Sequence, residues 1–560
     1  MTTLVPRPPY TQDELRTLYP ANLELQLVQV LLRHGERSPV SARFQNTGLP
    51  AFWPYCSVVR QLKSAVRESS SDTSPSSSDT HNPHQFSTLE WKRRLETFSP
   101  TGSDEPVLAS GPRGEVDGIC DMGMLTDKGR QTTFDLGRRL RRLYVDQLGF
   151  LPPALAADAD VEALYLRATP IPRALDSLQE TLAGLYPRAT ARAPGLAAPT
   201  ILVRAPADET LFPNDSNCRR FAALSRAFAQ RAADRWNPTD EMAYLTRLWG
   251  KWMPPARGGA ADDPPRVQPV AVDSRPRLSG IMDTVNATLA HGPETRLPRE
   301  FYDPKAREIV AKIAVEEWFA GYRESREYRM LGIGGLMGDV VGRMVGSAER
   351  STADGEYEVA RGGDDTKSQQ STPIRFGLSG CHDTTLAAIL ASLGAFGTDT
   401  WPPFTSHVAI EMFRKKTAAG DASTPNPAPA PAPTAATIPT DSNPKASWLG
   451  SLFSWGGSST TSKPGNPPPG GIGRKRSEQL TPAERAKLDG YYVRLRYNDE
   501  VVTVPGCRAA GNHLEGDESF CTLAAFKAIV DKYVPVNWRQ QCRQDIQAPA
   551  FPAEPEPAGY

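Results

Sequence analysis

An α/β fold, in which a mostly parallel sheet is flanked by helices and carries an inserted α-helical domain and disordered insertions, is predicted by three features of this 560-residue chain. The run Leu27-Val28-Gln29-Val30-Leu31-Leu32 turns from alternating to continuous apolar character and is closed by Gly35 and Pro39, the pattern of a buried strand entering a loop. Ile374-Arg375-Phe376-Gly377-Leu378-Ser379-Gly380 leads through a second turn into the Leu/Ala-rich stretch 386–393, which reads as strand, turn, helix. Between about 221 and 330, helical periodicity with few β-branched runs predicts a helical domain that roofs the sheet.

Residues 1–21 are expected to form an N-terminal tail. They hold no apolar h-region and mix Asp13 and Glu14 with Arg7 and Arg16, which fits neither a secretory signal nor a transit peptide, so the expected location is cytoplasmic with the mitochondrion as the alternative. Residues 22–204 form the first part of the α/β core, broken by a Ser/Asp-rich disordered insertion at 69–83. Within it, Arg33-His34-Gly35-Glu36-Arg37-Ser38-Pro39 sets one imidazole between two guanidiniums at a strand's carboxyl end, where open α/β sheets bind ligands. Permanently charged planar forks fit phosphate oxygens two at a time, so Arg33 and Arg37 suit a phosphate dianion. His34 is then the nucleophile or, on the tripeptide alone, a strand cap. Leu125-Thr126-Asp127-Lys128-Gly129 opens an amphipathic helix through Leu136, Leu140 and Leu143, with Thr126 as N-cap. Leu164-Tyr165-Leu166-Arg167-Ala168-Thr169 precedes Arg173 and Ser177.

Residues 205–345 are expected to be the helical cap domain, with a disordered Pro/Gly/Asp-rich insertion at 254–272. Its Gly332-Ile333-Gly334-Gly335-Leu336-Met337-Gly338 lacks the third glycine spacing and the preceding strand of a dinucleotide loop, and reads as helix packing. The core resumes over 373–416, where Cys381-His382-Asp383 puts an imidazole and an acid at a helix start beside positive backbone dipoles; an N-cap role for Asp383 or Thr384 is the alternative. Residues 417–485, with a Pro-Ala run and Pro-Gly repeats, are expected to be a disordered linker between strands, tolerated because closure entropy grows only logarithmically with length. Residues 486–560 complete the core.

The signature around His34, the Arg167-Ala168-Thr169 segment and the His382-Asp383 pair, in this order over most of the chain, resemble the motifs of the histidine acid phosphatases, which have a phosphoglycerate mutase-like fold. The resemblance implies acid hydrolysis of phosphate monoesters through a phosphohistidine, with no metal or other cofactor. His34 would be the nucleophile and Asp383 the proton donor, with Arg33, Arg37, Arg167 and His382 holding the phosphate. Ala168 departs from the family's Arg-Ser-Thr by one hydroxyl. The resemblance further implies disulfides Cys218–Cys542 and Cys507–Cys521 and a substrate contact for His291. Ala207-Asp208-Glu209, Leu211-Phe212-Pro213-Asn214 and Trp401-Pro402-Pro403-Phe404 bring it nearest the lysophosphatidic acid phosphatase branch, which makes lysophosphatidic acid the expected substrate. A phosphate-transferring mutase and a pseudo-enzyme that only binds phosphorylated ligands are the alternatives. The helical insertion argues against a small mutase pocket, and binding alone would not need both His34 and Asp383.

At an effective dielectric near 20, a unit charge about 4 Å away is worth roughly 4 kcal/mol. The arginines are therefore expected to keep His34 neutral in mild acid, while a bound phosphate raises Asp383 and keeps its proton available. Glu36 reads as a solvated loop carboxylate balancing the arginines, or as a secondary acid at the pocket rim. His81, His84 and His513 show no metal-ligand spacing and read as surface residues.

Lys plus Arg and Asp plus Glu both number 64, so charge points to no nucleic-acid partner. Small phosphate esters are the expected ligands; oligomeric state is not legible. No stretch reaches transmembrane length. Trp448-Leu449-Gly450-Ser451-Leu452-Phe453-Ser454-Trp455, with Arg474-Lys475-Arg476 beyond it, is a candidate for weak contact with a membrane surface, a chance apolar cluster or partner site being the alternative. Seven cysteines, with Cys56, Cys120 and Cys381 scattered, permit at most a partial disulfide framework, and in the cytosol reduced thiols are the default. Asn214-Asp215-Ser216 and Asn286-Ala287-Thr288 match the glycosylation triplet.

Overall fold

Strand Leu23–Arg33 sits near the middle of a nine-stranded mixed sheet and organises everything around it. The computed structural model describes residues 2–67, 86–99, 104–254, 267–349, 373–397, 400–416 and 471–560. The insertion expected at 69–83, most of the linker and the segment 448–455 lie outside the described residues. On one side Leu23–Arg33 pairs in parallel with Phe376–Cys381, which pairs with Leu164–Ala168 and then Ile201–Leu202. On its other side run antiparallel strands His407–Lys415, Tyr491–Tyr497 and Asp517–Thr522. The sheet is thus a parallel block joined to an antiparallel one, with Arg33, Cys381 and Ala168 all at carboxyl ends of the parallel block.

Strand alternation explains the two layers, since successive side chains point to opposite faces. Leu27 and Leu31 face a core with helices Arg219–Trp236, Gly335–Glu349, Asp383–Ser392 and Leu523–Asp531. Val28, Val30 and Leu32 turn to the opposite face, against helices Asp127–Arg141 and Pro172–Leu185. Thr126 caps the first of these, accepting from the Gly129 amide at 3.3 Å, as expected. The helical region has its own aromatic core, where Trp249 stacks on Phe301 at 5.4 Å. No helix among the described residues is long and apolar enough to cross a membrane.

Three expected boundaries need correction. The insertion at 254–272 is packed at its end: Val270 and Val272 are buried against the helical core. The cap's last helix, Gly335–Glu349, continues past the expected end at 345, with Ala348 buried. The linker to 485 is ordered from 471 on, because Ile472 and Leu480 fill the main core and Thr481 with Glu484 forms a capping box for helix Pro482–Ala486. Arg474 there donates to Asp339 at 2.5 Å and Lys475 pairs with Glu484 at 2.5 Å, so two charges of the basic triplet are already engaged within the fold.

Candidate active site

The signature loop leaves the central strand through a passage that only glycine admits. A Cβ on Gly35 would lie 2.3 Å from the Gly129 carbonyl oxygen, and one on Gly129 would lie 2.1 Å from that of Glu36. This close approach seats the start of helix Asp127–Arg141 on the loop, where the Thr126 amide donates to the Glu36 carbonyl at 3.0 Å and Ser38 N to Met124 O at 3.0 Å. The Gly35 amide donates to Ser177 Oγ at 3.1 Å, tying the loop to helix Pro172–Leu185 as well.

His34 is buried, and its Nδ1 lies 2.8 Å from the Gly35 carbonyl oxygen. A carbonyl only accepts, so Nδ1 carries the proton and Nε2 keeps a free lone pair. His382, the N-cap of helix Asp383–Ser392, lies edge-on to His34 at 5.5 Å between ring centroids, and its Nε2 is 3.1 Å from Thr169 Oγ1. Asp383 opens the helix: Oδ2 is 2.9 Å from Arg33 Nη2 and accepts from Trp401 Nε1 at 2.9 Å. Arg33 lies 4.1 Å above the Phe404 ring and donates to the Pro402 carbonyl. Arg37 Nη2 is held by Asp283 at 2.6 Å.

Charge and burial act together here. Burial and the fields of Arg173, Arg33 and Arg37 hold His34 well below the usual imidazole range, and His382 is lowered by burial and Arg173 in the same way. For Asp383 burial alone would raise the pKa, but Arg33 and the Trp401 hydrogen bond outweigh it, so without ligand the acid is held ionised below its ordinary value. The expected rise of Asp383 therefore requires a bound anion to cancel those cations.

The structure gathers Arg33, His34, Arg37, His382 and Asp383, and does not gather Arg167. Arg167 Nη2 is taken by the buried Glu209 carboxylate at 2.6 Å and by Thr210 Oγ1 at 3.1 Å, and Nη1 lies 3.8 Å from Asp339. It braces the sheet edge instead of facing the pocket. Arg173, in the first turn of helix Pro172–Leu185, is the third pocket cation. It leads the charges acting on both His34 and His382, and crowding by burial and Arg37 lowers its own pKa to about 10. Its guanidinium forms no hydrogen bond or ion pair with any described residue. The available signal was its place one helical turn from Thr169, but strand and helix side chains had to be oriented before Arg173 separated from Arg167.

Glu36 is not solvated: it is fully buried, accepting from Thr3 Oγ1 at 2.8 Å and Thr132 Oγ1 at 2.5 Å. Residues 2–4 pair with Phe404, which brings Thr3 to the loop. His291 has both ring nitrogens occupied, by the Ala287 carbonyl and Thr126 Oγ1, and stacks on Tyr55 at 5.3 Å; burial lowers it to about 4. It joins helices and has no nitrogen left for a substrate contact. His513 bonds the Cys507 and Ala509 carbonyls, while His81 and His84 lie outside the described residues. Ala168 is fully buried among apolar side chains, and Thr169 supplies the hydroxyl that reaches His382.

Cys218–Cys542 and Cys507–Cys521 are paired, and Cys56–Cys120 adds a third disulfide that spacing did not reveal, leaving buried Cys381 free. Neither glycosylation triplet is presented for modification, because Asn214 is buried and bonded to the Pro206 and Glu209 carbonyls and Asn286 sits within helix Leu278–Ala290.

Residues 24–249 match the family model of the histidine phosphatase superfamily (branch 2). A probable acid phosphatase of Schizosaccharomyces pombe is 32% identical over 94% of this chain and 95% of its own length. Lysophosphatidic acid phosphatase type 6 of Homo sapiens is 24% identical over 70% of this chain and 74% of its own. Among solved structures, the Hafnia alvei phytase in complex with tartrate aligns over 93% of this chain and 99% of its own, at 13% identity and a TM-score of 0.48. The chain belongs to the histidine phosphatase superfamily (branch 2) and is a phosphatase.

Proposed function

We propose that this phosphatase hydrolyses phosphate monoesters without a metal, through a phosphohistidine on His34, and that lysophosphatidic acid is among its substrates. The observation that carries this reading is a buried imidazole, its Nε2 lone pair free, beside Arg33, Arg37 and Arg173 and next to the Asp383 carboxyl. Three guanidiniums supply the fixed positive charge that phosphoryl transfer needs.

The Nε2 lone pair attacks phosphorus, the ester P–O bond breaks, and its electron pair leaves on the alcohol oxygen, which takes the proton of Asp383. The Gly35 carbonyl holds Nδ1–H of the resulting imidazolium. Water then attacks phosphorus and gives a proton to the Asp383 carboxylate, and the P–N pair returns to Nε2 as orthophosphate departs. The bound phosphate dianion offsets the Arg33 field that holds Asp383 ionised in its absence, which makes the acid form available when the leaving group needs it.

The lipid substrate is supported by the relative's name and by a cleft bordered by the apolar Trp249, Val285, Val310 and Trp401 together with Asn286 and Arg307, linked to the site through the Trp401 indole, which donates to Asp383. His34→Ala should lower kcat by roughly a thousandfold or more and abolish an acid-labile phosphoenzyme trapped by rapid quench. Asp383→Asn should slow alkyl phosphates and lysophosphatidic acid severely but p-nitrophenyl phosphate, whose phenolate departs unaided, much less. Equal losses on both would remove Asp383 from the leaving group.

For the location, expected as cytoplasmic or mitochondrial, we infer an oxidising compartment, because three disulfides persist in one.

A further inference from the structure

Glu36 is a carboxylate on the signature loop that the proposed reaction leaves unused, and it is fully buried. Both of its oxygens are held by hydroxyls: Thr3 Oγ1 donates to Oε1 at 2.8 Å and Thr132 Oγ1 to Oε2 at 2.5 Å. A hydroxyl has one proton to give, so Thr132, having spent its own on Glu36, accepts from Thr405 Oγ1 at 2.9 Å. Thr405 is β-branched yet takes a left-handed backbone with φ of 66°, a conformation that persists only where the surroundings hold it. Its amide donates to the His34 carbonyl at 3.2 Å, and the Arg33 amide donates to the Ser406 carbonyl at 2.8 Å.

Residues 2–4 hold the neighbour of Thr405. The Phe404 amide donates to the Thr2 carbonyl at 2.7 Å and the Leu4 amide to the Phe404 carbonyl at 2.9 Å, so both backbone polar groups of Phe404 are bound by this segment. The Phe404 ring is buried, with the Arg33 guanidinium 4.1 Å and the Arg37 guanidinium 5.7 Å from its centroid and the His34 ring at 6.0 Å. An aromatic ring attracts cations, and this one sets two guanidiniums and the imidazole together.

We propose that residues 2–4 strap Phe404 in place and that Thr3 and Glu36 are positioning residues, which act on the phosphate pocket through that ring. The Thr3 side chain is tied to the loop that carries Arg33, His34 and Arg37, and its backbone neighbours are tied to the ring on which those side chains rest. Releasing Thr3 from Glu36 frees loop and ring to move apart, and a misplacement of about 1 Å can cost a reaction roughly a hundredfold. This inference rests on the reading of Arg33, His34 and Arg37 as the phosphate pocket.

The test measures kcat/KM for p-nitrophenyl phosphate and inhibition by orthophosphate in wild type, Thr3→Val, Thr3→Ser and Phe404→Leu. Thr3→Val keeps the shape and removes the hydroxyl, so kcat/KM should fall about tenfold and phosphate inhibition weaken with it, while Thr3→Ser restores both. Thr11→Ala, which removes the N-cap of helix Gln12–Leu18, is the control for a loosened N-terminal region: it should lower the melting temperature and move neither value. The double variant Thr3→Val, Phe404→Leu should lose no more than Phe404→Leu alone, because Thr3 acts through the ring. Thr3→Val with wild-type kinetics overturns the proposal, and additive losses overturn the route through Phe404. If Phe404→Leu does not fold, the comparison of Thr3→Val with Thr3→Ser decides alone. Wild type that is no faster than His34→Ala would instead mark failure of the phosphatase reading.

Discussion

Two regions of the sheet bury arginines beside carboxylates, and they differ in whether the donors are used up. In the antiparallel block Glu411, fully buried, takes Arg494 at 2.6 Å and Arg496 at 3.3 Å and accepts from the hydroxyls of Tyr19 at 2.7 Å and Tyr144 at 2.8 Å. Arg494 also donates to the Leu18 carbonyl and Arg496 to Tyr10 and Asp499. At the carboxyl ends of the parallel strands, by contrast, Arg33 and Arg37 each meet a single carboxylate, and Arg173 meets none among the described residues. A buried charge persists at low cost when paired and bonded, so the saturated network reads as scaffold. The unsaturated one holds cations ready for an anion from outside.

The largest effect that could break this comparison is at Glu411. Glu411→Gln leaves two buried guanidiniums uncompensated and should cost about 3–5 kcal/mol at neutral pH, read by denaturant unfolding, with kcat/KM of the folded enzyme little changed. The pH dependence sharpens it. Burial would raise the Glu411 pKa, but Arg494 and Arg496 bring it from 4.5 down to about 2. A depressed carboxylate contributes stability that is present above its unfolded pKa and lost as pH falls from 4.5 toward 2, roughly 3 kcal/mol across that window. That slope should be flatter in Glu411→Gln; an unchanged acid slope would show that Glu411 is not the scaffold's anion.

A smaller effect is expected at Arg173. Arg173→Ala removes a cation from a crowd of like charges, so the melting temperature should hold or rise, while inhibition by inorganic phosphate weakens by the roughly 1.5–3 kcal/mol of a charge-assisted contact. Arg167→Ala should do the opposite, destabilising the fold by stranding Glu209 and leaving phosphate affinity nearly unchanged. Exchange of those two outcomes would return Arg167 to the pocket. The least effect on activity attaches to the disulfides: thiol titration of unreduced, denatured protein should find one thiol, Cys381, whereas seven would mean a chain kept reduced and would sink the oxidising-compartment proposal.

Much of the site was legible because it is local. Arg33, His34 and Arg37 share one loop, and His382 and Asp383 share one helix start, so strand, turn and helix signals in a few residues place each set at a carboxyl end of the sheet. The mixed character of the sheet was less legible, since the strands His407–Lys415 and Tyr491–Tyr497 are separated by the long linker and their antiparallel register depends on pairing across it.

What the amino-acid sequence determined by itself is therefore the fold class, the attacking imidazole, its two neighbouring arginines and the acid, all properties of contiguous residues. Tertiary structure alone decided which arginine completes the pocket, since Glu209 lies 42 residues from Arg167 and captures it, while Arg173 meets no carboxylate among the described residues. It decided that Glu36 is buried, because Thr3 and Thr132 arrive from distant segments, and that Cys56 meets Cys120. It also set Asp283 on Arg37 from a helix 246 residues away. The physical reason is common to all four: a charged or polar side chain is fixed by the partner that compensates its burial, and that partner is chosen by the fold.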